Sequence, residues 1–205
     1  MKDITIFENF INDEELEEVR QFTGEESLNL DNKDYGHPAM NRKWYFFPFD
    51  NSDKKNLVDL RKKERLYPFD MEDLIPSARN FILKIKNRID KCTNTNFKIE
   101  RVYLNRQVLG QDVTLHIDDP KLNVYTLLIY IGDITPENYD KTGGDLELKT
   151  KEITRIEPFT KRAVLFKGYI PHMAYAPLVP GVTRISMAFK LIDTSNELPF
   201  LVSYT

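Results

Sequence analysis

The feature that most limits the fold of this chain is a change in hydrophobic period near its middle. Leu74, Ala78, Phe81, Ile82, Ile85 and Ile89 recur at helical spacing. They predict an amphipathic helix from about Met71 to Lys91, with Pro76 tolerable only in its first turn. Beyond it the apolar residues fall in short blocks: Phe97 to Asn105, Val124 to Ile131, Asp145 to Leu148, Ile153 to Ile156, Ala163 to Phe166 and Thr183 to Leu191. Gly, Pro, Asn and Asp separate the blocks, so each reads as a strand. Strands following a helical half predict a mainly β chain of the α+β class, a double-sheet jelly roll with helices buttressing one sheet.

The 205 residues suit one domain. Residues 1–97 supply an N-terminal strand and supporting helices, and residues 98–205 supply the β core. Ile4-Thr5-Ile6-Phe7 reads as the strand. Asn12 then stands as a helix cap, Glu15 at the capping-box position, and Ile11 and Leu16 as a hydrophobic staple. Residues 24 to 52 are polar, aromatic and irregular. Trp44, Tyr45, Phe46 and Phe47 cluster there as core or cover, and His37 before Pro38 reads as a loop residue. Asn51 to Leu66 is charged and reads as partly helical.

Net charge is −3 with both signs interspersed, so no basic face advertises nucleic acid or an anionic membrane. An apolar share of 41% against 30% charged fits a soluble globular protein. Cys92 is the only cysteine, which excludes an internal disulfide framework and suits a reducing compartment. MKDITIFENF lacks the apolar core of a signal peptide, and no run approaches membrane-spanning length. The expected location is the cytoplasm, with no membrane partner.

The chain has three histidines, and two stand at informative places. On a strand, the side chains of His116 and Asp118 leave the same face and can grip one ion. His172, from a distant strand, would complete a 2-His-1-carboxylate facial triad, which suits Fe(II) and leaves coordination positions open for substrates. Either residue of a lone His-x-Asp also serves turns and salt bridges; it is the ordered conjunction with His172 and Arg184 that points to a metal site. In the last strand Ile185, Met187, Phe189 and Leu191 share one face and read as sheet core. Arg184 and Ser186 share the opposite face. An inward-facing arginine is costly without an anionic partner, so a bound carboxylate is expected there.

These residues carry a family resemblance. From about Ile99 to Leu191 the chain resembles the 2-oxoglutarate/Fe(II) oxygenases, and within them the prolyl 4-hydroxylase-like branch. The match rests on His116-Ile117-Asp118-Asp119-Pro120, Thr142-Gly143-Gly144-Asp145-Leu146, Ile156-Glu157-Pro158, Arg162-Ala163-Val164-Leu165-Phe166, Pro171-His172 and Arg184-Ile185-Ser186. ITIFENFINDEELEEV also looks like the usual entry to this branch. The resemblance implies a double-stranded β-helix core with His116, Asp118 and His172 as iron ligands. It implies that Arg184 pairs with the distal carboxylate of 2-oxoglutarate, helped by Ser186 and Tyr130, and Thr126 and Leu128 share the face of Tyr130. Asn105 and Gly110 match an N-x-x-x-x-G pattern of relatives. The tyrosine common three residues before that glycine is here Gln107, which leaves the co-substrate contact open between Gln107 and Tyr103.

The implied reaction consumes O2 and 2-oxoglutarate, with ascorbate as a supporting reductant, and hydroxylates a substrate. An aspartate at position 118 argues for hydroxylation over halogenation. The branch points to a prolyl residue in a peptide or protein. A free amino acid or other small molecule is the alternative, and Asp119 to Asn123 and Trp44 to Phe49 are the expected pocket rims. Two further readings are a non-catalytic metal-binding jelly-roll module and an AlkB-like nucleobase demethylase. The intact Arg184 and Ser186 disfavour the first, and the acidic balance disfavours the second.

Overall fold

Asn12 opens the first helix through a reciprocal capping box. Its Oδ1 accepts from the Glu15 amide at 2.8 Å, and Glu15 Oε2 accepts from the Asn12 amide at 3.0 Å. Helix α1 then spans Asp13–Thr23. The computed structural model describes residues 2–23, 43–45 and 76–195. His37, the side chains of the aromatic stretch, the segment Asn51 to Leu66 and the start expected at Met71 lie outside the described residues. Helix α2 spans Pro76–Thr93. Pro76 takes its first position, where the missing amide hydrogen is no loss.

Phe81, Ile82, Ile85 and Ile89 of α2 are fully buried, each such side chain contributing about 1.5–3 kcal/mol. Arg88 ties the two helices together. Its Nη2 and Nη1 donate to Glu15 Oε1 and Oε2 at 2.5 and 2.8 Å, and Nη1 also reaches the Phe10 carbonyl. The hydrogen bond from Arg88 lowers the Glu15 carboxyl below its ordinary range, against the opposing effect of burial. A depressed folded-state pKa means stability that is present above about pH 4.3, where the unfolded carboxyl is ionised, and lost as pH falls through the folded value. Glu15→Gln should therefore lower the unfolding midpoint near neutral pH, and its difference from the unsubstituted chain should shrink in acid. Asn12→Ala should cost about 1 kcal/mol at either pH. Thermal unfolding followed by circular dichroism checks both.

Six strands form the larger sheet: β1 (Ile4–Phe7), β2 (Lys43–Tyr45), β3 (Phe97–Gln107), β4 (Val124–Tyr130), β7 (Ala163–Lys167) and β9 (Arg184–Asp193), in the order β1-β7-β4-β9-β3-β2. The smaller sheet orders β6 (Ile153–Ile156), β5 (Leu146–Lys149) and β8 (His172–Ala174). A one-turn helix α3 (Tyr139–Thr142) leads into Gly143. Every strand pair among the described residues is antiparallel. This is a double-stranded β-helix, mainly β, with the helices on the outer face of the larger sheet.

Alternation along the strands sorts side chains between two cores. Tyr125, Leu127 and Ile129 of β4, with Met187, Phe189 and Leu191 of β9, pack against the helices. Leu128 and Tyr130, with Ala188, Val164 and Phe166, face the smaller sheet and meet Leu146, Leu148 and Ile156. On β3 the phase changes part-way. Phe97 and Ile99 belong to the helix side, as do Val102 and Leu104, while Tyr103 belongs to the inner side. The register against β9 slips between Ile99 and Arg101, so Glu100 is an inserted residue. Such a bulge re-aims every side chain after it.

β8, three residues after Pro171, puts His172 on a strand as expected, whereas β2, three residues on the sheet edge, was not legible in the sequence. His116 and Asp118 also differ from expectation, since they lie outside the named strands. His116 forms an isolated bridge with His172, with amide-to-carbonyl distances of 3.0 and 2.8 Å, and the Asp118 amide donates to Gly168 O at 2.9 Å. The segment is extended without a full ladder, which is enough to turn both side chains the same way. Among the described residues, no helix is long and apolar enough to cross a membrane.

Candidate functional site

Backbone carbonyls decide how the two histidines present themselves. His116 Nδ1 lies 2.8 Å from Thr114 O, and His172 Nδ1 lies 2.9 Å from Ile170 O. A carbonyl only accepts, so each Nδ1 carries the proton and each Nε2 carries the lone pair a metal needs. Both Nε2 atoms stand 3.6 Å from Asp118, one at Oδ1 and the other at Oδ2. Ligand atoms of His116, Asp118 and His172 all lie within 4.8 Å of one another. Phe166 packs edge-on to the His172 ring at 4.8 Å and fixes its plane.

Asp118 is kept ionised. Burial alone would raise its carboxyl, but the flanking His116 and His172 side chains and a 2.5 Å hydrogen bond from Thr126 Oγ1 hold it at about 2. Two imidazole nitrogens and one carboxylate oxygen are the donor set of a facial triad, and they fit Fe(II) or a similar divalent ion.

The adjoining pocket continues inward from the triad along the inner face of β3, β4 and β9. Tyr103, Asn105, Gln107, Thr126, Leu128, Arg184 and Ser186 all line it. Cross-strand register places Asn105 and Tyr130 on either side of Ser186, and Gln107 beside Arg184. Arg184 is 2% exposed. Its Nε donates to Gly144 O at 2.8 Å, Nη1 to Gln107 Oε1 at 2.6 Å and Nη2 to the Tyr130 hydroxyl at 3.3 Å. All three partners are neutral. Ser186 Oγ is buried with no hydrogen-bond partner among the described residues. A buried guanidinium with neutral partners beside an orphaned hydroxyl suits a carboxylate ligand. Burial pushes the Tyr130 phenol above its ordinary range, against the pull of Arg184, so it keeps a proton to donate.

The sequence matches no family model and no curated protein. Solved structures do match in fold. A prolyl hydroxylase from Trichoplax adhaerens, solved with a hypoxia inducible factor oxygen degradation domain peptide fragment, aligns over 93% of this chain and 84% of that one, with 18% identity and a TM-score of 0.59. HygX from Streptomyces hygroscopicus, solved with nickel, 2-oxoglutarate and hygromycin B, aligns over 94% and 84%, with 15% identity and a TM-score of 0.59. A prolyl-4-hydroxylase from Pseudomonas putida aligns over 93% and 92%, with 14% identity and a TM-score of 0.53. This chain has the 2-oxoglutarate/Fe(II) oxygenase fold.

Within this oxygenase fold the structure brings together the residues singled out from the sequence. His116, Asp118 and His172 converge, and Tyr103, Asn105, Gln107, Thr126, Leu128, Arg184 and Ser186 share their pocket, while Tyr130 touches Arg184. Gly144 was not singled out, although its carbonyl fixes the Arg184 Nε. The signal was present in Thr142-Gly143-Gly144-Asp145-Leu146. Gly144 has φ +99° and lies close to the Arg184 side chain, so a side chain there would be strained and would crowd the site. Val113, Leu146 and Ala174 also line the pocket and give it an apolar wall. They resemble ordinary core residues in sequence, and only the fold reveals their place.

Proposed function

We propose that this protein is a 2-oxoglutarate-dependent Fe(II) dioxygenase that hydroxylates its substrate, a prolyl residue in a peptide or protein. The observation that carries the reading is one pocket holding both a His116/Asp118/His172 donor set and a buried Arg184 with neutral partners. The reaction converts 2-oxoglutarate, O2 and a C–H bond into succinate, CO2 and a C–OH group. Iron held by His116, Asp118 and His172 would supply the O2 chemistry. The protein's own residues do the rest. Thr126 holds Asp118 in orientation and ionised. Arg184, with Ser186 and Tyr130, receives the distal carboxylate of 2-oxoglutarate. Leu128, Leu146 and Val113 keep the cavity apolar, which strengthens the charge pairing at Arg184.

The peptide substrate is supported by the prolyl hydroxylases among the fold neighbours and by the sequence motifs around His116 and Gly144. HygX, solved with hygromycin B, favours a small-molecule substrate as the second reading. The single cysteine, exposed at Cys92, supports a cytoplasmic site of action. The test is a succinate-release screen with Fe(II), 2-oxoglutarate and ascorbate, followed by mass spectrometry of proline-rich peptides, free proline and other amino acids. Succinate release with one added oxygen on a prolyl peptide is the expected result. Oxygen added only to free amino acids would move the assignment to a small-molecule hydroxylase, and no turnover with any divalent-metal loading would remove the enzyme reading.

A further inference from the structure

We infer that Gln107 is a positioning residue that orients Arg184 and leaves its charge uncompensated for an incoming carboxylate, an inference that rests on the oxygenase reading above. Gln107 is 1% exposed and uses both ends of its amide. Oε1 accepts from Arg184 Nη1 at 2.6 Å, while Nε2 donates to Gln111 O at 2.8 Å and to Ala174 O at 3.2 Å. That orientation is chemically forced, because a guanidinium only donates and carbonyls only accept.

Three segments meet at this amide. Gln111 lies on the stretch leading to His116, Ala174 ends the strand that begins with His172, and Arg184 begins β9. The amide therefore fixes the Arg184 fork relative to both histidine-bearing segments. Its neutrality matters as much as its geometry. Gly144 O and the Tyr130 hydroxyl are neutral as well, so the pocket holds a cation whose attraction is unspent. A glutamate at this position would place a carboxylate on the same nitrogen and occupy the role of the ligand. It would also set an acceptor oxygen against the carbonyls of Gln111 and Ala174. A methionine would fill the volume and leave the fork untethered.

The experiment compares the unsubstituted chain with its Gln107→Glu and Gln107→Met variants by titration calorimetry, first with Mn(II) alone and then with 2-oxoglutarate on the Mn(II)-loaded protein. Mn(II) affinity should stay within about threefold in both variants, because no metal ligand is touched. Affinity for 2-oxoglutarate should fall by about 100-fold or more in Gln107→Glu and about tenfold in Gln107→Met. In turnover, Gln107→Met should raise the KM for 2-oxoglutarate while kcat changes by no more than about threefold. Wild-type affinity for 2-oxoglutarate in Gln107→Glu would overturn the inference. So would parallel loss of Mn(II) and 2-oxoglutarate in both variants, since that is the behaviour of a residue needed only for packing. If the unsubstituted chain itself binds Mn(II) but not 2-oxoglutarate, the oxygenase reading falls and this inference falls with it.

Discussion

Asp118→Asn should weaken divalent-metal binding by more than about 100-fold while leaving the chain folded. Loss of an outer partner of a metal ligand typically costs about 10–100-fold, and removing the only anionic ligand must exceed that. Asparagine keeps the shape and can still accept from Thr126, so the effect isolates the charge. Calorimetry with Mn(II), or with Fe(II) under anaerobic conditions, measures it. Thr126→Val supplies the graded comparison: it removes only the 2.5 Å hydrogen bond to Oδ2 and should cost about tenfold. Were Asp118 merely the ion-pair partner of two histidines, Asp118→Asn would disturb stability and leave metal affinity unmoved. His172→Ala should likewise abolish stoichiometric metal binding, and full retention of metal in that variant would remove His172 from the site.

The second large effect falls on the co-substrate. Arg184→Met should lower 2-oxoglutarate affinity by about 100-fold or more, because two charge-assisted hydrogen bonds at about 1.5–3 kcal/mol each are lost. Arg184→Lys keeps the charge and loses the fork, so its deficit should be nearer tenfold. Metal affinity should change little in either. The methionine variant also strands the Gly144 carbonyl and the Gln107 amide oxygen, at about 1–3 kcal/mol for each buried group left unpaired. A lowered unfolding temperature is therefore expected alongside the binding loss. Unchanged affinity for 2-oxoglutarate in Arg184→Lys would take Arg184 out of the carboxylate site.

What could be read from the sequence and what could not divide along the range of the forces involved. The capping box at Asn12 and Glu15 is local, a few residues in contact through their own backbone, and the sequence states it outright. The outer and inner faces of β9 follow from alternation alone, so Arg184 and Ser186 were assignable to the pocket side. The hydrogen bonds that hold Arg184 were not. Gly144, Gln107 and Tyr130 reach it from three separate segments, and only closure of the two sheets sets them together. The bounds of β8 escaped notice for a related reason: three residues beginning at His172 have no period of their own, and pairing with β5 sets their limits. On β3, alternation carried forward from Phe97 would send Tyr103, Asn105 and Gln107 to the helices, and the inserted Glu100 reverses that.

That insertion has a genetic consequence. Loss of one codon at position 100 would restore uninterrupted alternation along β3. With Lys98 and Ile99 holding their register, Val102 and Leu104 would still meet the helices, and Tyr103, Asn105 and Gln107 would still line the pocket. A single in-frame deletion at that position would thus leave the chemistry of the pocket wall as it is and remove only the local kink. The strand carries one spare residue, and its loss would shorten the chain without rewriting the pocket.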